Sequence, residues 1–230
     1  MFDVKGAIEN SIATKKKVIE FCLNDIQSSV ELMIRTAKEN KSIFWCGNGG
    51  SAADSQHMAA ELMGGLRSHD RRPIKSIALT TDSSFITAWS NDTSYDEIFS
   101  RQLDALGEEG DLVVVISTSG NSKNIIETLN LAKKKNINSI ILTGASGGSM
   151  AKMGDCVIKV PSDDTQRIQE AHLLIEHILC ESVEKTLLLL CFRLERVDKN
   201  IGFTNKEAVK PTLGHRATDP GVTLHFTSLG

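Results

Sequence analysis

The sequence predicts an α/β fold: a three-layer, doubly wound sheet of five parallel strands, flanked by long N- and C-terminal helices. Three observations carry this expectation. Five short apolar runs of strand length recur along the chain, helical spacings fill the intervals between them, and a long amphipathic stretch stands at each end. Strands that alternate with helices build parallel β-α units whose helices cover both faces of the sheet.

Taken in order, residues 5–40 place Ile8, Ile12, Val18, Ile19, Cys22, Ile26, Val30, Met33, Ile34 and Ala37 at helical intervals, with Lys15, Lys16 and Lys17 on the wet side. That period predicts two helices, or one long bent one. The run 42–46 (SIFWC) stops at Gly47 and reads as a buried strand. Residues 74–79, 112–116, 138–142 and 156–160 repeat the pattern. Helices are expected over 52–66, 94–106 and 123–135, with a short turn near 149–153. A long helix should start at Thr165 and run through at least Leu190, on Ile168, His172, Leu173, Ile175, Ile178, Leu179, Val183 and Leu187. Beyond about Arg196 no period survives, so the expected organisation is one domain over 1–196 and a loosely ordered tail over 197–230.

Composition excludes several classes. The chain has 230 residues, 40% hydrophobic and 24% charged, which is ordinary for a globular protein and excludes a disordered one. With 26 Lys+Arg against 29 Asp+Glu the net charge is −3, so no general electrostatic attraction to nucleic acid is expected. The longest apolar run, 187–192, is far short of a membrane span, and the N-terminus lacks a signal-peptide pattern. Five widely spaced cysteines (Cys22, Cys46, Cys156, Cys180, Cys191) form no C-x-x-C pair and read as reduced thiols of a cytoplasmic protein.

Two loops invite an anion. The first strand ends in Gly47-Asn48-Gly49-Gly50-Ser51-Ala52, with Ser51 at the expected helix cap. The third ends in Ser117-Thr118-Ser119-Gly120-Asn121-Ser122, again just before a helix. Glycines allow a tight turn, and unpaired amides at a helix start favour negative charge. One such loop is a weak signal, but two at strand ends of one sheet point to a phosphorylated small ligand. The first loop also fits a relaxed dinucleotide fingerprint. Its acidic partner, however, is expected about 20 residues on, whereas Asp82 follows Gly47 by 35. Asp82 reads instead as a helix cap, and the arginines of 67–73 (RSHDRRP) as a solvated turn.

Four polar residues stand out on helices. His57 and Glu61, four apart, share a helix face, and Gln169 and His177, eight apart, lie within about a quadrant of each other. Two imidazoles, a carboxylate and an amide oxygen make a nitrogen/oxygen donor set compatible with zinc. His69, His172, His215 and His225 read as core or solvated histidines.

The segments GNGGSAADSQHMAAEL, ALTTDSSFITAWSND, ISTSGNSKNI and TQRIQEAHLLIEHILCE together resemble the phosphoheptose isomerase branch of the sugar isomerase (SIS) family. The resemblance covers roughly residues 5–190. It implies a flavodoxin-like sheet and conversion of sedoheptulose 7-phosphate to D-glycero-D-manno-heptose 7-phosphate, the first step of nucleotide-activated heptose biosynthesis, as for lipopolysaccharide. It further implies Glu61 as base and His177 as acid, and one zinc per subunit on His57, Glu61, Gln169 and His177. Asn48, Gly49, Gly50, Asn91, Asp92, Glu61 and Gln169 should line the sugar, and Ser117, Thr118, Ser119 and Ser122 should hold the phosphate, with Ser51 as an extra contact. A homotetramer is implied, with sites between subunits and Gln169 or His177 facing a neighbour's first loop. The alternative is a non-catalytic relative that binds the bacterial replication initiator. Family chains end soon after the segment at 180–184, whereas this one continues for some forty residues.

Overall fold

The structure, a computed structural model, describes residues 2–201, with side chains described through residue 189. His215, His225, the Cys191 side chain and most of the expected tail lie outside the described residues. The described residues through Arg193 form one compact unit. The last helix runs to Ile201, beyond the expected boundary at 196.

Two helices open the chain, α1 (Val4–Phe21) and α2 (Leu23–Lys38). They bend apart at Cys22, whose φ of −114° and ψ of −4° leave the helical path without proline or glycine. Asp3 caps α1 by accepting from the Gly6 amide at 2.9 Å. Five parallel strands follow: β1 (Ile43–Gly47), β2 (Ser76–Ala78), β3 (Leu112–Ser117), β4 (Asn138–Thr143) and β5 (Cys156–Lys159). Their order across the sheet is β2-β1-β3-β4-β5. The remaining helices are α3 (Gly50–Gly64), α4 (Ser83–Asp92), α5 (Ile98–Leu106), α6 (Lys123–Lys134) and α7 (Thr165–Ile201).

Because successive strand residues point to opposite faces, β1 and β3 feed two cores. Ile43, Trp45, Leu112, Val114 and Ile116 pack with Met33, Met58, Leu62, Ile175 and Leu179 from α2, α3 and α7. Phe44, Cys46, Val113 and Val115 pack with Phe99, Leu103, Ile125 and Leu129 from α5 and α6. Burial on both faces explains the unbroken apolar runs. Cys22, Cys46 and Cys180 are buried and Cys156 half-buried, all as free thiols.

The expected strands and the fold class stand, but several boundaries move. β2, at the sheet edge, shrinks to three residues. The helix expected over 52–66 starts at Gly50, because Gly49 takes a φ of 59° and makes the turn itself. Ser51 is therefore buried inside the first turn and is not the cap. The helix expected over 94–106 is preceded by a 3-10 turn, Tyr95–Glu97, and the sequence reading lacked α4 altogether. No residue of α4 is fully buried; only Ile86 and Trp89 lean on the core, and two half-buried positions make a weak helical signal.

His172 on α7 is a core histidine, as expected. It is fully buried and its Nε2 donates to the Thr143 carbonyl at 3.2 Å. Burial lowers its pKa to about 4, against the opposing effect of the Thr143 bond. A depressed folded-state pKa means that the unfolded chain takes the proton first as pH falls. Stability from the neutral ring is thus whole above pH ~6.5 and lost on descending to pH 4, by about 3 kcal/mol. Urea unfolding from pH 7 to pH 4 should show this loss in the parent chain, and a shallower one in His172→Gln.

Candidate active site

The strand order reverses direction between β1 and β3: the chain leaves β1 toward β2 and leaves β3 toward β4. Ligands of open parallel sheets bind at this switch point, beyond the carboxyl ends of the strands. Both glycine-serine loops lie there, 48–49 after β1 and 118–122 after β3. An amide pair joins them: Asn48 Nδ2 donates to Asn124 Oδ1 and Asn124 Nδ2 to Asn48 Oδ1, each at 2.9 Å. Tyr95 Oη donates to the same Asn48 oxygen at 2.9 Å and ties the segment after α4 to the first loop.

In the second loop, Ser122 occupies the cap position of α6 but makes no capping bond. Its hydroxyl instead meets that of Ser117 at 3.0 Å. The Ser119 hydroxyl accepts from the Asn121 amide at 3.2 Å. Gly120 adopts a φ of 65°, and a Cβ there would strike the Gly147 carbonyl. Thr118 and Ser119 also line a polar cleft of about 330 Å³ that Ser146, Ser162 and Thr165 complete. The sequence reading did not single out these three hydroxyls; their positions at the ends of β4 and β5 and the start of α7 were the available signal.

His57, Glu61 and His177 come together between α3 and α7, and Gln169 packs at the start of α3. His57 Nε2 donates to Glu61 Oε1 at 3.1 Å on α3. The His57 and His177 rings stand edge to face, with centroids 5.1 Å apart and planes at 78°. His177 Nδ1 donates to the Leu173 carbonyl at 2.8 Å, which leaves Nε2 as the ring nitrogen free to exchange a proton. Gln169 packs against Gly50, where an added Cβ would lie 3.1 Å from its Nε2. Gln169 and His177 thus meet α3 of their own chain, at Gly50 and His57. Asn91 and Asp92 close α4, both exposed, with Asn91 Nδ2 donating to Asp92 Oδ1 at 2.8 Å. Asp82 caps α4 by accepting from the Phe85 amide at 2.9 Å, so it is not a dinucleotide partner.

Three further groups were not singled out. Burial raises the pKa of Asp54, against the pull of His57 and His177. Burial, with Asp54 adding repulsion, raises that of Glu176 to about 8. Both Glu176 oxygens lack a hydrogen-bond partner. Arg71 is the third: it is buried against Glu184, which corrects the reading of a solvated turn at that residue, while Arg67 and Arg72 are exposed as expected. Glu176 lies four residues after His172 and three before Leu179, so the apolar stripe of α7 would have placed it inside, whereas an arginine in a polar run gives no sign of burial.

The donor types that the resemblance implies for zinc, two imidazoles, a carboxylate and an amide oxygen, stand on α3 and α7. His177 holds one ring nitrogen to a carbonyl and offers the other, as metal-binding imidazoles do. Among the described residues, however, no three His, Cys, Asp or Glu side chains already converge on one point.

A parallel sheet with a phosphate-suited loop pair and a His-Glu-His cluster at its switch point defines a sugar-phosphate-type α/β domain. Residues 8–144 match the SIS domain family. The chain is 48% identical over 186 residues to a phosphoheptose isomerase of Sulfurimonas denitrificans, spanning 80% of this chain and 95% of that protein. Among solved structures, a phosphoheptose isomerase from Neisseria gonorrhoeae aligns with a TM-score of 0.74 at 40% identity, covering 79% of this chain and 97% of that one. One from Francisella tularensis gives 0.76 at 34%, covering 79% and 96%. The chain therefore belongs to the SIS family, within its phosphoheptose isomerase branch, and is an isomerase.

Proposed function

We propose that this isomerase converts sedoheptulose 7-phosphate to D-glycero-D-manno-heptose 7-phosphate through an enediol. The observation that carries the reading is the convergence of Glu61, His57 and His177 beside two loops joined at the switch point. Ser117, Thr118, Ser119 and Ser122 hold the phosphate by hydroxyl and amide donors, with Ser51 as an inner contact. Asn48, Gly49, Gly50, Asn91, Asp92 and Gln169 line the sugar. Glu61 takes a proton from C1 while His177, in its imidazolium form, gives the Nε2 proton to the C2 carbonyl oxygen and keeps its Nδ1 proton on the Leu173 carbonyl. His177 then takes the O1 proton and Glu61 returns a proton to C2, leaving the aldehyde at C1. Zinc held by His57, Glu61, Gln169 and His177 would occupy that ring nitrogen, and would supply Lewis acidity toward the sugar oxygens in place of the His177 proton.

Incubation with sedoheptulose 7-phosphate, with and without a chelator, tests the reading. The expected result is a heptose aldose product. No turnover by folded protein would favour the non-catalytic alternative, a partner of the replication initiator. Ser119→Ala and Ser122→Ala should each raise KM more than they lower kcat, because the phosphate is remote from C1 and C2. A lost bond to a charged group is worth about 1.5–3 kcal/mol, roughly 10- to 100-fold in KM. Steady-state kinetics would refute the phosphate site if KM stayed unchanged in both.

The assembly is proposed to be a dihedral homotetramer. Val18, Cys22, Ile26 and Met33 are buried, but Ile8, Ile12 and Ile19 on α1 are about half exposed or more, as are Phe2 and Val4. Leu174 and Ile178 flank His177 on α7 and are also exposed. Apolar faces of this extent mark protein contacts, and closed symmetry buries them. Sedimentation should show a tetramer, with activity falling on dilution; a stable, active monomer would contradict it. Among the described residues no helix is long and apolar enough to cross a membrane.

A further inference from the structure

The buried pair Arg71–Glu184 links the two helices that carry the polar cluster. Both side chains are 1% exposed, with Arg71 Nε donating to Glu184 Oε2 at 2.8 Å. The other two guanidinium nitrogens of Arg71 each make a bond as well. Nη1 reaches the Arg72 carbonyl at 3.1 Å, and Nη2 reaches the main-chain carbonyl of Glu61 at 2.7 Å. Glu184 in turn accepts from the amides of Leu66 at 2.8 Å, Arg67 at 2.6 Å and Ser68 at 3.2 Å. The loop that leaves α3 is thereby pinned to α7.

The connection has a direction. Glu61 sits in the last turn of α3; its carbonyl accepts from the capping Gly65 amide at 3.0 Å, and Arg71 adds a second, charged donor to the same oxygen. Glu184 follows His177 by seven residues, two turns on, and so projects from the same side of α7. One guanidinium therefore holds the backbone of Glu61 and a carboxylate in line with His177. A planar fork with fixed donor directions is suited to setting a distance between two elements.

We propose that Arg71 and Glu184 act as a positioning clamp, fixing α3 against α7 so that Glu61 and His57 meet His177 in working register. The inference rests on the proposed roles of Glu61 and His177, but the clamp touches neither substrate nor reacting atoms. A displacement of the order of 1 Å at a reacting group can cost about 100-fold in rate. A role in folding alone would lower the amount of active enzyme and leave kcat per folded molecule unchanged.

Two variants separate these cases. Arg71→Lys keeps the charge beside Glu184 but cannot span both the carboxylate and the Glu61 carbonyl. Glu184→Gln keeps the shape and removes the charge. Folded fraction, thermal midpoint, kcat and KM for sedoheptulose 7-phosphate would be measured on the full chain, together with a crystal structure of Arg71→Lys. The expected result is folded Arg71→Lys with kcat reduced by about 10- to 100-fold, KM within about 3-fold, and the His57 and His177 rings displaced from their 5.1 Å spacing. If Glu184→Gln fails to fold, Arg71→Lys alone decides. Unchanged kcat per folded molecule with unmoved rings overturns the clamp. Should the parent chain itself not turn over this sugar, the proposed reaction fails, and the ring spacing in Arg71→Lys still tests the clamp.

Discussion

Glu61→Gln should fold as the parent chain does and lose about 10²- to 10⁴-fold in kcat, with KM little changed. The amide keeps the volume and can still meet His57 Nε2 through its oxygen, where the carboxylate now accepts at 3.1 Å. It cannot take a proton from C1. Because Glu61 is partly exposed at the end of α3, its replacement removes no core contact. Melting temperature and steady-state kinetics on the same preparation decide the point. Near-normal kcat would remove Glu61 from the base role.

His177→Asn should produce a loss of the same order, about 10²- to 10⁴-fold in kcat. The asparagine amide can replace Nδ1 in donating to the Leu173 carbonyl, a bond of 2.8 Å in the parent, so the local helix is kept. What disappears is the free Nε2. If Glu61 and His177 act on one proton-transfer sequence, the double variant should be little worse than either single one, as for residues that work as a unit. Multiplying losses would instead assign them to independent steps.

Much of this arrangement was legible from the chain. The strands at 42–46 and 112–116 announced themselves because both of their faces are buried, and such strands carry no polar alternation. The two loops were legible because glycines and hydroxyls followed those strands directly. His57 with Glu61, and Gln169 with His177, followed from helical spacing, and Gly50 shows how closely the two helices approach. Three features were not legible, each for a physical reason. α4 sets only Ile86 and Trp89, half-buried, against the core, so its residues left little periodic signature. Ser51 was misplaced as a cap because the positive φ of Gly49 starts the helix earlier than composition suggests. Arg71 reads as solvent-facing in any local window, since its partner Glu184 lies 113 residues away.

The central claim is proton transfer through an enediol, and isomerisation in D₂O tests it most directly. Sedoheptulose 7-phosphate would be converted by the full chain, and deuterium at C2 of the product read by mass spectrometry and proton NMR. A carboxyl that has taken the C1 proton exchanges it with solvent before returning one to C2. Deuterium at C2 is therefore expected, and it should vanish together with turnover in Glu61→Gln. Product formed in full with no deuterium at C2 would mean that hydrogen passes directly between the carbons, and would contradict the account.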